Sequence, residues 1–228
     1  MPLQPVLIVD NSINRFVLRE GPLIEDQLGG HPVKIVQKKY PLPDPSDFCG
    51  IIISGSEVSV LDEFGWIHRQ IEFIHKATQA EVPILGICFG HQLLARAIAG
   101  KDAVRRSATP EFGWKNIRVI ADDPLLDGMK LQFKSFCSHF DEVCNLPEDF
   151  RVLAQSDKCT IQAFAYKLAP VWGIQFHPEI DPITGLLMLG FYSKILRRMN
   201  IDLRAIYKEI GDDYVGRRLM FNFTRCKH

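Results

Sequence analysis

Cys88 lies between two glycines in Gly86-Ile87-Cys88-Phe89-Gly90, straight after the apolar run Ile84–Ile87 and straight before a helical pattern. This G-x-C-x-G spacing is the thiol counterpart of a strand-to-helix nucleophile elbow. A nucleophile raised on a sharp turn strains its own backbone, and the residues two positions away must make room. Glycine does that because it has no Cβ to clash. A helix opening at Phe89 aims unpaired N–H groups and the positive end of its dipole at the sulfur, which favours negative charge there. A cysteine between a strand and a helix is ordinarily an inert, buried thiol. The paired glycines argue for a nucleophile instead, and a nucleophile needs a base.

Gly173-Ile-Gln-Phe-His-Pro-Glu179 offers one. Ile174 to His177 reads as the end of a strand, and Pro178 biases His177 toward an extended conformation. Residues two apart in an extended segment face the same way, which puts His177 and Glu179 on one side. A histidine with an acceptor on one ring nitrogen presents the other as a base, and the Glu179 carboxylate is such an acceptor. Cys88, His177 and Glu179 thus read as a catalytic triad, recognised by roles rather than by chain order.

Gly-Ile-Cys-Phe-Gly-His-Gln and Gly-Ile-Gln-Phe-His-Pro-Glu together resemble the two signature segments of class I (triad) glutamine amidotransferase domains, and the resemblance spans about residues 5–185. Gly50-Ile-Ile-Ile-Ser-Gly-Ser-Glu57 is similar to the family's strand and oxyanion loop. Gly55 keeps the position whose N–H would face the oxyanion, beside the N–H of Phe89. The family's usual Gly-Gly-Pro is Ser54-Gly55-Ser56 here, without the stiffening proline. Ser138-His139-Phe140-Asp141 resembles the segment that holds the α-amino and α-carboxylate groups of glutamine, and Gln92 corresponds to a residue lining the same pocket. On its residues alone, His139 reads equally well as a hydrogen-bonded histidine beside a turn. Glu111-Phe-Gly-Trp114 and Ile161-Gln-Ala-Phe164 resemble segments of the stand-alone, GMP-synthase-like members, and read structurally as a turn and a core strand.

The resemblance implies hydrolysis of the glutamine side-chain amide through a γ-glutamyl thioester, without metal or organic cofactor. Ammonia would pass to a separate synthetase subunit, since the chain carries neither an S-G-G-x-D-S nor a G-x-x-x-x-G-K-[ST] loop. A γ-glutamyl peptidase or hydrolase acting on larger amides, and a noncatalytic regulatory member of the fold, are the alternatives. The intact Cys-His-Glu set speaks against the last.

Those residues need a scaffold that delivers strand ends to one place. Apolar strand-like runs alternate with helical patterns, which predicts one α/β domain with a mostly parallel sheet covered by helices on both faces, flavodoxin-like. The 228 residues are read as a single domain, with a helical extension over 186–228. Strands are expected at Pro5–Asp10, Val33–Gln37, Ile51–Ser54 and Ile84–Ile87, and helices around Arg15–Leu28 and Trp66–Ala80. From Asn116 to Phe176 the pattern is β-rich, with runs at Ile117–Ile120, Phe133–Cys137, Val152–Gln155, Ile161–Tyr166 and Val171–Phe176. A closing helix follows over Pro182–Met199.

Composition sets outer limits. Lys plus Arg and Asp plus Glu are both 27, so no global field points to nucleic acid or an anionic membrane. No apolar run approaches the ~20 residues of a spanning helix, and no leader is expected before the first strand. The six cysteines show no C-x-x-C spacing, as expected of a reduced, cytoplasmic thiol enzyme. His68 and His75 are two helical turns apart, which reads as a solvated face rather than a metal site.

Overall fold

Four short runs, Val6–Asp10, Gly50–Ile53, Ile84–Ile87 and Val171–Ile174, are buried at every position. A strand apolar on both faces must be covered on both, which is the condition of an inner parallel strand. The computed structural model, which describes residues 3–13 and 19–226, shows that arrangement. In chain order the elements are β1 (Val6–Asp10), α1 (Glu20–Gln27), β2 (Val33–Gln37), β3 (Gly50–Ile53), α2 (Gly65–Gln79), β4 (Ile84–Ile87) and α3 (Phe89–Ala99). They continue with β5 (Val104–Val119), β6 (Gln132–Val143), β7 (Phe150–Gln155), β8 (Ala163–Tyr166), β9 (Val171–Ile174), α4 (Pro182–Arg198), α5 (Leu203–Lys208) and α6 (Gly216–Phe223).

All nine described strands join one mixed sheet in the order β2-β1-β3-β4-β9-β8-β7-β5-β6. The pairs from β2 through β9 are parallel, and those from β9 through β6 are antiparallel. The parallel expectation describes the half that carries Cys88, and the β-rich reading describes the other. Helices cover both faces: Ile67, Ile74 and Ala77 of α2 pack with Leu93 and Leu94 of α3 on one side. Ile24 of α1 packs with Leu219, Met220 and Phe223 of α6 on the other.

Two elements depart from the sequence reading. The first helix begins at Glu20, and Arg15–Leu18 of the expected span lie outside the described residues. β5 starts at Val104 rather than Ile117: Arg105 to Pro110 carry no apolar alternation, yet Arg105 and Arg106 pair with Glu142 and Asp141 of β6, and pairing resumes at Glu111↔His139 after a register shift. The helical extension expected over 186–228 packs onto the sheet through α6, a contact that the sequence reading did not specify. The Phe223 ring packs edge-on against Trp172 at 6.4 Å, and Asn222 donates to the carbonyls of Leu125 and Asp127 at 2.9 and 2.8 Å.

Burial of Phe223 makes α6 part of the core. Truncating a buried phenylalanine typically costs about 3–5 kcal/mol. Phe223→Ala should therefore lower the urea-unfolding free energy by that amount in a single transition. A change below about 1 kcal/mol would mean that α6 is dispensable to the fold.

Candidate active site

The turn after β4 is built as its glycines require. Cys88 has φ +50° and ψ −102°, a conformation that side chains rarely adopt. Its N–H donates to the Ile174 carbonyl of β9 at 2.8 Å, and its carbonyl accepts from Gln92 N–H at 3.1 Å, starting α3. A Cβ on Gly90 would lie 2.1 Å from the Ile53 carbonyl oxygen, and one on Gly86 would lie 2.4 Å from the Gly90 carbonyl. Neither clash is with a movable side chain, so both positions exclude any other residue. The Cys88 thiol points at the Ser138 carbonyl, 3.7 Å away on β6.

β4 and β9 are parallel neighbours, so their carboxyl ends emerge side by side, where open α/β sheets place their sites. His177 lies three residues past the end of β9. Its N–H donates to the Phe136 carbonyl at 2.8 Å, tying it to β6 by an isolated bridge. His177 Nδ1 and Glu179 Oε1 are 2.6 Å apart, both side chains buried. The route to that contact differs from the one expected. Pro178 and Glu179 form a turn, closed by Ile180 N–H on the His177 carbonyl at 3.4 Å, and the turn folds the carboxylate back onto the ring. Burial opposes charge on His177, but the Glu179 carboxylate and the Cys88 sulfur outweigh it and raise its pKa well above the ordinary value.

A cavity of about 410 Å³ opens over this point, lined by Cys88, Phe89, Gln92, Ser138, His139, Phe140 and His177. Its volume falls within the ~300–1,000 Å³ of small-molecule sites. Glu179 stands behind His177 and does not line it. Gly55 is buried in the loop after β3, whose next residues, Ser56 and Glu57, line the cavity. Gln92 spends its amide on Asp141 O and Gln175 Oε1, at 2.9 and 3.0 Å, fastening α3 to β6 and to the segment before His177. His139 is mid-strand rather than beside a turn. Its Nδ1 faces Asp141 O at 3.0 Å and its Nε2 faces Glu111 Oε2 at 3.2 Å.

Several cavity residues carry no local signal. Glu20, inside the helix expected around Arg15–Leu28 and at the start of α1 in the structure, is buried and lines the cavity. Arg106 does so from the unpredicted part of β5, paired with Asp141 at 3.0 Å. Phe112, Met188 and Tyr192 form an apolar wall. Glu111 holds His139 while accepting from Ser156 Oγ at 2.8 Å and Gln162 Nε2 at 2.6 Å. Among the described residues, two groups have metal-ligand atom types within 4.8 Å, Glu111–His139–Cys159 and Glu20–His177–Glu179. In the first, Glu111 and His139 are already satisfied by internal hydrogen bonds. Burial raises the thiol pKa of each other cysteine: Cys49, Cys137 and Cys144, with Cys159 at about 12 and Cys226 at about 11. Those thiols stay protonated near neutrality.

Comparison with known proteins agrees with this fold. The family model for glutamine amidotransferase class-I matches residues 14–186. The glutamine-hydrolyzing GMP synthase subunit of Saccharolobus solfataricus is 36% identical over 151 residues, 66% of this chain and 78% of that one. The corresponding GMP synthase subunit of Methanobrevibacter smithii is 37% identical over 189 residues, 79% of this chain and 98% of that one. Among solved structures, a glutamine amidotransferase from Thermotoga maritima superposes with TM-score 0.75 at 19% identity, covering 97% of this chain and 95% of that one. One from Methylobacillus flagellatus superposes with TM-score 0.78 at 21% identity, covering 98% and 93%. These two establish likeness of fold.

The histidine in Gly-His-Gln is a core residue. His91 is fully buried, stacks on Phe164 at 4.8 Å, and burial lowers its pKa to about 3. The unfolded chain, with a histidine pKa near 6.5, therefore binds a proton that the folded chain refuses. Stability should fall as pH drops from about 6.5 toward 3, by at most ~1.4 kcal/mol per pH unit from this group. His91→Asn should flatten that slope in urea midpoints measured from pH 7 to 4.5; an unchanged slope would assign acid sensitivity elsewhere.

Proposed function

This chain belongs to the class-I glutamine amidotransferase family, and from its site geometry we propose that it hydrolyses the side-chain amide of glutamine through a γ-glutamyl thioester on Cys88. The observation that carries this reading is the conjunction of Cys88 on a positive-φ elbow with a buried His177–Glu179 pair hydrogen-bonded at 2.6 Å. The Cys88 sulfur attacks the amide carbon, and His177 takes the thiol proton and delivers it to departing ammonia. Glu179 orients the ring and stabilises its positive charge. Water activated by His177 then releases glutamate. The backbone N–H groups of Phe89 and Gly55 stabilise the tetrahedral oxyanion, a contribution of about 3–4 kcal/mol per donor.

Ser138, His139, Phe140 and Gln92 shape the substrate pocket. Arg106 supplies a cation at the cavity suited to a substrate carboxylate. Ammonia passes to a separate synthetase subunit. The relatives named as subunits of GMP synthase support that reading. One observation favours the second reading, a γ-glutamyl amide with a larger leaving group. Phe112, Phe140, Met188 and Tyr192 give the cavity an apolar wall that an ammonia leaving group does not need.

Cys88→Ala should lower amide hydrolysis by ~10³-fold or more while remaining folded, whereas Cys49→Ala and Cys226→Ala should not. A glutamine-like diazo-ketone should label Cys88, located by mass spectrometry; a label elsewhere with Cys88→Ala still active would end the assignment. In single-turnover thioester formation, His177→Ala should lose more than Glu179→Gln, which keeps a hydrogen-bond acceptor. Steady-state kinetics on glutamine and on γ-glutamyl amides of apolar amines decide between the readings. A kcat/KM more than about tenfold higher for the latter, a difference of ~1.4 kcal/mol in barrier, would favour the second.

A further inference from the structure

A second carboxyl shares the niche behind His177. Glu20 opens α1, its N–H held by Ser12 Oγ at 3.0 Å, and its side chain turns into the site. Ligand-type atoms of Glu20, His177 and Glu179 lie within 4.8 Å of one another, all three residues buried. Glu20 Oε2 and Glu179 Oε2 are both buried without a hydrogen-bond partner among the described residues. The Glu20 carboxyl also lies flat on the Gly55 peptide: a Cβ there would be 2.6 Å from Oε2 and 2.7 Å from Oε1. A side chain at position 55 would displace this carboxyl. One side chain therefore lies beside both the imidazole–carboxylate pair and the loop proposed to bind the oxyanion.

We propose that Glu20 is a positioning residue that keeps a proton beside the His177–Glu179 pair, and whose loss of that proton slows turnover. Two buried carboxylates this close do not both ionise readily, because they repel each other and share one imidazole as counter-charge. Neutral Glu20 leaves Glu179 as the single negative partner of the imidazole, and leaves the Gly55 N–H available to the substrate. Ionised Glu20 does the opposite. It holds the His177 proton more tightly, so that His177 gives it up less readily to ammonia and is less often neutral to activate water. It also draws the Gly55 N–H to itself.

The surroundings set the direction. Burial raises the Glu20 pKa to about 8; His177 opposes the rise, Glu179 and Glu57 add to it, and the Gly55 N–H opposes it. The groups facing Glu20 are His177 and Glu179 after β9, Glu57 after β3, and Tyr192 of α4. Asp10 at the end of β1 borders the same corner through Gly21. Acids outnumber cations among the described residues there, so the neutral form persists through neutral pH.

The inference rests on Cys88 and His177 as the reacting pair, and the test separates the two claims. Alkylation of the protein by iodoacetamide, with adducts located by mass spectrometry, is followed from pH 5 to 10 without substrate. Wild type should show an inflection in the Cys88 rate near pH 8 that Glu20→Gln, neutral and of the same shape, removes. With glutamine, wild-type kcat normalised at pH 7 should fall through the same region, while the variant's stays level for at least one further pH unit. Superimposable profiles, with Cys88 labelled in both, would overturn the role of Glu20 and leave the reacting pair standing. Labelling chiefly at another cysteine would overturn the pair and this inference with it. If Glu20→Gln does not fold, Glu20→Asp carries the test. Its carboxyl withdraws by one methylene, so the inflection should move below pH 8, and an unmoved inflection would overturn the proposal.

Discussion

The structure depends on holding Cys88 in a backbone conformation it would not choose. A non-glycine residue at φ +50° persists only where its surroundings over-determine it, at a cost of order 1–3 kcal/mol. Here β9 takes the Cys88 N–H, α3 takes its carbonyl, and the Ile53 carbonyl of β3 presses so closely on position 90 that only glycine fits. The elbow therefore demands that β3, β4 and β9 be adjacent and parallel. That demand explains why these strands are apolar on both faces and form the centre of the nine-stranded sheet.

Once β9 lies beside β4, the rest of the site follows by short connections. His177 is three residues beyond β9, and its bridge to Phe136 draws β6 over the elbow, bringing Ser138, His139 and Phe140 to the cavity. The His177–Glu179 turn runs almost at once into α4, whose first turn is capped by Asp181 on Thr184 N–H at 2.7 Å. Met188 and Tyr192, facing the cavity from that helix, are thus placed by the same turn that positions the histidine.

Burying so many polar groups is tolerable because most of them are committed. Glu111 accepts from Ser156 and Gln162 and faces His139 Nε2, while Gln92 bridges Asp141 and Gln175. The Glu111 links tie strands of the antiparallel half to one another, and the Gln92 links fasten α3, beside the elbow, to β6 and to the segment after β9. The site departs from that rule where Glu20 and Glu179 approach each other, with one buried oxygen of each carboxyl unpartnered among the described residues. Unmet hydrogen-bonding capacity in a core is costly, and here it sits beside the imidazole.

Much of this was legible in the residues because its causes are local. The elbow is written in five consecutive positions, the His177–Glu179 pair lies within three, and the inner strands announce themselves as short continuous apolar runs. Helix α2 shows its period, and its observed bounds, Gly65–Gln79, lie within a residue of the expected ones. What sequence reasoning missed has non-local causes. Residues 105–110 look like a polar loop, and only pairing with Arg106↔Asp141 and Glu111↔His139 on β6 makes them strand. Glu20 falls inside the helix expected around Arg15–Leu28, Arg106 in no expected element and Glu111 in an expected turn, because nothing in their neighbours' types reveals what lies across the fold. By itself the sequence determined the candidate nucleophile, its base and the strands that carry them, since backbone strain, turn geometry and side-chain period act within a few residues. Tertiary structure alone decided that a second carboxyl stands behind the histidine, that Glu111 holds His139, and that α6 belongs to the core. Those facts depend on which surfaces meet when distant segments are packed, and no local pattern encodes that.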